Sequence, residues 1–499
     1  MVEKSSASVK YQITIIGVLF FLFGFITWAN SQLIPYLKLA CELSYTQSLY
    51  VATAFFAAYF IMAIPSSYIL KLTGFKRGMS VGLFTMAIGA LLFIPAAHSR
   101  NYDLFLLGLF IIGSGLALLQ TASNPYVTVL GPMESAAQRI SIMGICNKLA
   151  GISAVYILGS ITLQNADGIK AKILTLSPAD KIVELNTLAQ RVVMPYTVIA
   201  IVLIILALMI FFVNMPEIHE EEAQATSTSS STSGNNILLY LSIALGASIF
   251  YFFYKVFTSG IDRLSVLLMF SLVLFIVLAA NFKKFNGPKS NVFQYPHLML
   301  GALAIYFYVG VEVISYDTFA GFGEHLGFML SAPDISIHIP GTERFLLIPA
   351  FNAAKNFATY TGFALLAGYL FNIFAIPKYI SQEKTMLVMT ILSMVLVVLS
   401  VLTHGYTAVI CFMLLGFSNS VMWPAIWPLA IEGLGKFTKT GSALLIMGIV
   451  GGAILPPLYG RIAEITGNKQ TAYLMMIPAY LYILYYAIAG HNVGKEKAR

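Results

Sequence analysis

The chain is dominated by continuous apolar runs of about 20 residues, each long enough to cross the hydrocarbon core of a bilayer as a helix. A helix satisfies its backbone hydrogen bonds within one segment, which a spanning segment needs because lipid offers no partners. A strand-built membrane protein would instead alternate apolar and polar residues over about 10 positions. Only 10% of the 499 residues are charged, too few to coat a soluble protein of this length. The sequence therefore predicts an all-α polytopic membrane protein.

The apolar runs fall into groups of about six, two and six, or about 14 spans in total. Residues 1–213 and 296–499 are each predicted to form a six-helix bundle. The first run is longer than a signal-peptide core and has no small-residue cleavage site, so it is interpreted as a retained span. The predicted span centres outside the middle group are Phe23, Phe60, Ile88, Ile112, Val155, Ile204, Val309, Phe363, Met394, Phe412, Ile449 and Tyr480.

Residues 214–295 separate the two bundles and are predicted to contain a polar linker followed by a transmembrane hairpin. The linker carries three adjacent carboxylates and a Ser/Thr tract, neither of which can lie in lipid. Two apolar runs follow, at 237–257 and 264–282, with a short polar turn between them. Because a hairpin returns to the side where it started, the topology of the later spans is unchanged. We interpret it as an accessory element.

An internal repeat supports the division into two bundles. Gly113 and Pro125 in the fourth span recur as Gly416 and Pro428, each 303 residues further along the chain. The tetrapeptide Ile-Met-Gly-Ile follows at residue 142 and again at residue 446. Repeated halves with the same order of spans are typical of carriers that bind their substrate between two bundles near the bilayer midplane.

The basic residues indicate the orientation in the membrane. Lys and Arg are retained on the cytoplasmic side, and the short connections that carry them fall on the side of both termini. The connections 164–191 and 321–344 are longer and mixed in sign, as expected of external loops. We therefore predict a multi-pass inner-membrane protein with both termini in the cytoplasm. The net charge of +8 is dispersed and does not indicate nucleic-acid binding.

The motifs of common enzymes and pumps are missing from the sequence. It contains no phosphate-binding GxxxxGK[ST] loop, no HExxH and no nucleophile elbow. The three cysteines, Cys41, Cys146 and Cys411, lack the spacing of metal ligands and are interpreted as packing residues. We therefore predict neither an enzyme nor an ATP-driven pump, and no organic cofactor or structural metal.

Ionisable residues inside apolar spans are functional candidates, because a charge there costs several kcal/mol unless it is paired or hydrated. Glu312 lies deep in the seventh span and is the first candidate for binding a coupling cation, with a structural salt bridge as the alternative. Asp317, nearer the outside, is the second, with a merely interfacial carboxylate as the alternative. Lys148 in the fifth span could snorkel to the cytoplasmic headgroups. Lys355 is a candidate partner for either carboxylate.

Uncharged amides in the spans suit a sugar site, because a carboxamide can both donate to and accept from a hydroxyl. Gln120 and Asn124 lie four residues apart on one face of the fourth span and are predicted to line the substrate path. Asn147 in the fifth span and Asn30 in the first are further candidates. Hydrogen bonding between helices is the alternative for all four.

Trp423 and Trp427 in the tenth span occupy the position that corresponds to this amide pair in the second half. An indole ring can stack on the apolar face of a pyranose. Both tryptophans are therefore predicted to bind substrate, with packing beside the prolines as the alternative.

The chain resembles the sugar-permease branch of the major facilitator superfamily that contains the L-fucose permease and the glucose/galactose transporters. The resemblance is carried by residues 30–35 (NSQLIP), 118–131 (LLQTASNPYVTVLG), 308–313 (YVGVEV) and 441–443 (GSA). It covers both six-span halves but not residues 214–295. It implies the major facilitator fold of two six-helix bundles, to which this chain adds the inserted hairpin.

The same resemblance implies a secondary active transporter that imports a monosaccharide, either a hexose such as glucose or galactose, or fucose. Fucose permeases of this type place proton-linked carboxylates in the first and fourth spans, where this chain has Ser31 and Gln120. The coupling cation, H⁺ or Na⁺, is therefore assigned to Glu312, with Asp317 second. Aligning the first and seventh spans places Asp317 opposite Ser31.

Two other functions remain as alternatives. Fourteen spans with a central hairpin also describe a class of drug/proton antiporters, and a carrier-like fold can serve as a non-transporting sugar sensor. The expected partners are a small sugar and the lipid bilayer, and the protein is expected to be a monomer.

Overall fold

The computed structural model describes residues 6–129, 136–213, 292–332, 335–338, 345–348, 350–376, 379–434 and 437–494. In this part of the chain, 12 helices are long and apolar enough to cross a membrane. Each contains one of the predicted span centres, so the positions of these spans are confirmed. The predicted hairpin at 237–282 lies outside the described residues.

The described part of the first half builds its six spans from a series of long helices, several of which are extended by shorter ones. The spans are helical because a helix lets each long apolar run form its backbone hydrogen bonds within itself, where lipid offers no partners. The helices are α1 Ser6–Ala40, α2 Tyr45–Ser48, α3 Tyr50–Leu91, α4 Phe93–Ser99, α5 Tyr102–Val129, α6 Ala136–Thr162, α7 Ala166–Ile173, α8 Pro178–Ala189 and α9 Val193–Phe212.

The second span begins in α2 and the third ends in α4, but α3 supplies most of both, and Gly74 breaks the helical path between them. Its φ of 76° lies in a region that other residues rarely adopt. The preceding Thr73 turns its hydroxyl back to donate to the carbonyl of Ile69, at 2.8 Å. This local break allows one long helical segment to supply two separate spans.

The second half repeats the pattern with a seventh to a twelfth span and adds a small sheet. Strand β1 runs antiparallel to β2, with Ile335 opposite Ile348, within the segment between the seventh and eighth spans. The predictions for this connection did not include strands. The elements are α10 Pro296–Asp317, α11 Phe319–His325, β1 Ile335–His338, β2 Phe345–Ile348, α12 Phe357–Ala375, α13 Gln382–Leu402, α14 Gly405–Met413, α15 Leu415–Asn419, α16 Met422–Ile431, α17 Thr438–Met447, α18 Gly451–Thr466 and α19 Met476–Ile488.

Equivalent pairs of spans come into backbone contact in the two halves. In the first half, a side chain at Gly24 on α1 would overlap the backbone of Asn147 on α6. In the second half, a side chain at Gly451 at the start of α18 would overlap the backbone of Tyr306 on α10. Small residues permit this approach, which strengthens van der Waals packing between membrane helices. The first and fifth spans thus pack as the seventh and eleventh do, as the internal repeat predicts.

The two halves are joined by polar contacts at one end of the molecule. The backbone N–H of Thr46, in α2, donates to Oε1 of Glu464, near the end of α18, at 2.8 Å. The Thr46 hydroxyl donates to Oε2 of the same carboxylate at 2.7 Å. One glutamate from the second half therefore binds the first turn of a helix in the first half.

The two connections predicted to be external loops meet at this same end. Lys170 on α7 forms an ion pair with Glu324 on α11. The backbone N–H of Ser331 donates to Oδ2 of Asp167 at 2.7 Å. Both contacts cross between the halves, so this end of the molecule is closed.

Lys469, between the last two spans, adds a further contact at the closed end. Its Nζ donates to the carbonyl of Gly321 at 3.1 Å and lies 4.3 Å from the centroid of the Tyr45 ring in the other half. Burial, together with the nearby positive charge of Lys38, lowers the pKa of Lys469 to about 8. The side chain therefore remains charged at neutral pH and can hold the Tyr45 ring by a cation–π contact.

We predict that Gly24→Ala destabilises the protein, because the added methyl group has to push α1 away from α6. Overpacking of this kind typically costs about 1–3 kcal/mol in the free energy of unfolding. Thermal unfolding of the purified protein in detergent measures the effect. Gly17→Ala on the same helix is the control, since its nearest contact would be Met143 at 3.8 Å. Equal melting temperatures for the two variants would contradict the prediction.

We predict that Glu464→Ala opens the closed end by removing both hydrogen bonds to Thr46. Because Glu464 is exposed, water weakens these bonds and together they contribute about 1 kcal/mol, so the ratio of closed to open protein should fall by about 5-fold. Thr53 is a suitable reporter, because it is buried and donates to Ala453 of the other half at 2.7 Å. In a variant lacking the three native cysteines, Thr53→Cys should react with a maleimide faster once Glu464 is replaced.

Glu184→Ala is the matched control for this experiment. Glu184 pairs with Lys172 at 2.7 Å, but both residues belong to the first half. The control should therefore leave the labelling rate of Cys at position 53 at the parent value. A rise as large as that of Glu464→Ala would show that labelling follows general loosening.

Candidate functional site

A buried ion pair joins the two halves between the middle of α6 and α10. Nζ of Lys148 lies 3.3 Å from Oε1 of Glu312, and their side chains are only 10% and 9% exposed. Lys148 stands near the middle of the helix Ala136–Thr162, far from either end. The interpretation that Lys148 snorkels to the headgroups is therefore wrong: the lysine points into the protein because Glu312 offers it a counter-charge.

Aromatic rings surround the Lys148 ammonium group. It lies 4.6 Å from the centroid of the Trp28 ring and 5.9 Å from that of Tyr369. Trp28 in turn packs against Tyr316, with ring centroids 4.1 Å apart. Gly151, one turn after Lys148 on α6, leaves room for the indole. A desolvated cation–π contact contributes about 2 kcal/mol, so these rings help to hold a charge away from water.

Asp317 lies at the end of α10 and has a different environment. The Ser31 hydroxyl on α1 donates to Oδ1 of Asp317 at 2.9 Å, which is a second contact between the halves at this site. Oδ2 is buried and has no hydrogen-bond partner among the described residues. Within the same residues, no lysine or arginine forms an ion pair with Asp317. Its position opposite Ser31, inferred from aligning the first and seventh spans, agrees with this contact.

Lys355 was a candidate partner for these carboxylates, and that prediction is wrong. It is buried just before α12, but in the part of the chain that the structure describes it forms no ion pair with Glu312 or Asp317. Its backbone carbonyl instead accepts a hydrogen bond from Nε2 of Gln32 at 2.9 Å. Lys148 fills the role because the middle of α6, and not the start of the eighth span, faces Glu312.

The amides of the fourth and fifth spans contact neighbouring helices of the first half. Nε2 of Gln120 donates to the Tyr59 hydroxyl at 3.1 Å, and Nδ2 of Asn147 donates to the carbonyl of Phe20 at 3.3 Å. Both residues remain partly accessible. Asn124 lies four residues beyond Gln120 on α5, and its side chain is outside the described part of the structure.

Asn30 faces a different place from the other candidates. It lines a small, mostly apolar pocket within the first half, and its Nδ2 has no hydrogen-bond partner among the described residues. The structure therefore does not bring Asn30 to the ion pair. The other residues that line the pocket are Ile26, Ala29, Phe55, Leu109, Ile112, Tyr196 and Ile199.

Trp423 and Trp427 stack on each other in α16, with ring centroids 5.3 Å apart. Trp423 also approaches Tyr308 on α10, at 6.4 Å between centroids. Tyr308 stands one helical turn before Glu312 and interacts electrostatically with its carboxylate. The tryptophan pair therefore borders the second-half side of the ion pair.

Sequence reasoning missed several aromatic residues of this site. Trp28 carries a usable signal, because tryptophan is rare in the chain and this one lies beside the polar residues of the first span. Tyr59 and Tyr369 carry none, since the chain has 27 tyrosines and nothing in the sequence marks these two.

Comparisons with known proteins agree with this architecture. The Major Facilitator Superfamily pattern matches residues 16–344. A glucose/galactose transporter of Brucella abortus (strain 2308) is 32% identical over 98% of this chain and 96% of its own length. The L-fucose-proton symporter of Escherichia coli (strain K12) is 28% identical over 94% of this chain and 90% of its own.

Solved structures give the same result. The crystal structure of FucP, a major facilitator transporter in the outward conformation, superposes with a TM-score of 0.62 at 26% identity, covering 96% of this chain and 98% of FucP. A POT family transporter bound to a thioalcohol-conjugated peptide reaches a TM-score of 0.68 at 13% identity, over 95% of each chain, and supports the fold alone. The structure describes twelve spans in this chain, the family pattern matches more than half of it, and the relatives match nearly its whole length. The chain therefore belongs to the major facilitator superfamily.

Proposed function

We propose that the protein is a secondary active transporter that imports a monosaccharide, a hexose such as glucose or galactose, or fucose, without changing it chemically. The observation that carries the proposal is a polar, aromatic-lined site buried between the two halves, centred on Lys148 and Glu312. Carriers with repeated halves bind their substrate at this level. Relatives named as glucose/galactose transporters and fucose-proton symporters support a sugar as the substrate class.

The polar and aromatic residues that we assign to sugar binding suit a ligand with many hydroxyls. Gln120 uses one amide hydrogen on Tyr59, which leaves its carbonyl oxygen and second amide hydrogen to meet a sugar hydroxyl. Asn147 has the same capacity beside Lys148. Trp423 offers a ring face for the apolar side of a pyranose, with Trp427 behind it. Asn124 belongs to this set by its place on α5, and Asn30 is the weakest member because its pocket lies within the first half.

Alternating access follows from where the halves are joined. The contacts of Glu464, Lys170 and Lys469 close the end that carries the predicted external loops. Rocking the halves about the central site would break these contacts and open that end. We therefore propose that this arrangement precedes release of sugar to the cytoplasm, with both termini on the cytoplasmic side of an inner membrane. Each monomer would carry one complete site, since both halves belong to one chain.

We propose that uptake is coupled to protons and uses a carboxylate of α10. The fucose-proton symporters among the relatives support H⁺ over Na⁺. Glu312 and Asp317 both lie within the seventh span, where an acidic group is costly to keep and is usually retained for function. No organic cofactor or metal is proposed.

Uptake by purified protein in proteoliposomes tests the proposed function. We expect radiolabelled glucose, galactose or fucose to accumulate when the outside is more acidic than the inside, and to exchange with unlabelled sugar without a gradient. A sugar sensor would bind the label without moving it. A drug/proton antiporter would ignore sugars and collapse the pH gradient when given its substrate. Either of these results would replace the proposal.

We predict that Gln120→Ala weakens sugar binding, because a substrate hydroxyl loses its partner in a site shielded from water. The expected loss is about 1–3 kcal/mol, or about 5- to 150-fold in apparent affinity. Asn124→Ala should behave similarly. The half-saturating concentration for exchange is the measurement, and Asn186→Ala, on the exposed surface of α8, is the control. Unchanged affinity in both variants would assign the amides to helix packing.

A further inference from the structure

Two buried carboxylates on α10 differ in how their charge is balanced. Glu312 has a counter-ion, since Nζ of Lys148 lies 3.3 Å from its Oε1. Asp317, five residues later, accepts one hydrogen bond from the neutral hydroxyl of Ser31, and its second oxygen is buried with no partner in the part of the chain that the structure describes. An ionised carboxylate is therefore compensated at the first position and uncompensated at the second.

Removing an unpaired charge from water is costly, and a buried carboxyl group avoids that cost by binding a proton. Glu312 avoids it in another way, through the lysine and the aromatic rings around it. The proton held by a carrier of this shape should therefore sit on Asp317, at Oδ2, with Oδ1 accepting from Ser31. The side chain that the sequence favoured, Glu312, is the one that the geometry keeps ionised.

The other titratable groups packed around α10 do not supply a missing cation. Lys148 is committed to Glu312, and Lys355 forms no ion pair with Asp317 among the residues that the structure describes. The remaining groups near this stretch are tyrosines, which are neutral at physiological pH. The buried titratable side chains on the described part of α10 and the elements around it are Tyr36, Lys148, Tyr295, His297, Tyr308, Glu312, Tyr316, Lys355, Tyr369, Tyr459, Tyr473, Tyr480, Tyr486 and His491. His297 lies 20 residues before Asp317, about 30 Å away at the other end of α10, and the segment that carries His491 packs against that same end.

The position of Asp317 links its proton to the movement of the halves. Its hydrogen bond to Ser31 crosses between them, and Gly321, four residues further on, is the residue that Lys469 holds at the closed end. Opening that end would break the contact with Ser31 and admit water to Asp317, which then exchanges its proton with the outside. Closing that end would again favour the protonated form.

Two ligands are too few for a metal cation at this position. Ser31 and Asp317 together offer one hydroxyl and one carboxylate, whereas hard cations such as Mg²⁺ and Ca²⁺ take about six oxygen ligands. This favours a proton over sodium and makes sodium an outcome of the test.

We propose that Asp317 is the proton carrier of the transport cycle, and that Lys148 is a positioning residue that bars Glu312 from this role by holding it as an ion pair. The inference rests on the proposed function, since a proton carrier has a role only if sugar transport is coupled to proton movement. It places the proton on the seventh span, across the interface from Ser31 of the first.

The experiment compares four proteins in proteoliposomes with the parent: Asp317→Asn, Lys148→Met, Glu312→Gln and the double variant Lys148→Met/Glu312→Gln. Sugar exchange without a gradient and accumulation under an imposed pH gradient are both measured. We expect Asp317→Asn to exchange sugar but to bring inside and outside concentrations only to equality. Each single change in the ion pair should lower the yield of folded protein, because one buried charge is left alone.

The double variant decides between the two carboxylates. Without either charge the site is neutral again, so the protein should fold better than the single variants. Its rate of sugar exchange should fall, because the pair lies at the centre of the proposed site, but the ratio of inside to outside sugar should still rise above one under a pH gradient. If the double variant exchanges sugar without accumulating it while Asp317→Asn still accumulates it, Glu312 is the carrier and the proposal is overturned. Accumulation by Asp317→Asn equal to the parent overturns it as well.

Two controls separate this inference from the proposed function. Asp180→Asn removes an exposed carboxylate that bonds only to Ser177 at the start of its own helix, and should match the parent in both assays. A parent protein that neither exchanges nor accumulates any of the three sugars refutes the proposed function. A parent that accumulates sugar under a sodium gradient and not under a pH gradient upholds the function and overturns the proton assignment.

Discussion

The ion pair between Lys148 and Glu312 is the interaction on which the arrangement of the site depends. It brings a positive charge of the first half against a negative charge of the second in a low-dielectric interior. The aromatic side chains around it keep this pair away from water. Rings can pack around an ammonium group and exclude water without adding a competing charge. A pair of this kind contributes little to net stability, yet either partner alone would be strongly unfavourable. It therefore fixes which faces of α6 and α10 meet.

Around this pair, the interface changes in character along its length. At the closed end it is made of hydrogen bonds and ion pairs between partly exposed groups, such as Thr46 with Glu464. Such contacts exchange readily for water, so they can be broken and remade at modest cost. Within each half, by contrast, helices approach until backbones touch, as at Gly24 and Gly451. The difference in contact type separates what is fixed from what can move.

The sequence predicts the spans well, because the transfer of an apolar run into lipid depends on composition and length and not on partners. It predicts the partners poorly. Glu312 and Asp317 stand out in the sequence because an acidic residue within a span is rare. The pairing of Glu312 with Lys355 is wrong, because successive residues of a helix point about 100° apart and a small rotation of the helix decides which residues meet. Asn30 illustrates the same limit: it lies beside Ser31 in the chain but faces the interior of the first half. The strands at 335–338 and 345–348 carry too short a pattern to predict.

The backbone contact of α1 with α6, and its counterpart between α10 and α18, has a mechanical consequence. Where two helix backbones touch, no side chain lies between them that could change rotamer. Each half should therefore move as a rigid body, with the motion concentrated at the interface between the halves. Substitutions at the interface between the halves can then change the substrate or the coupling ion without disturbing the packing within either half. A family with one architecture and several sugar specificities is the evolutionary outcome that such a division allows.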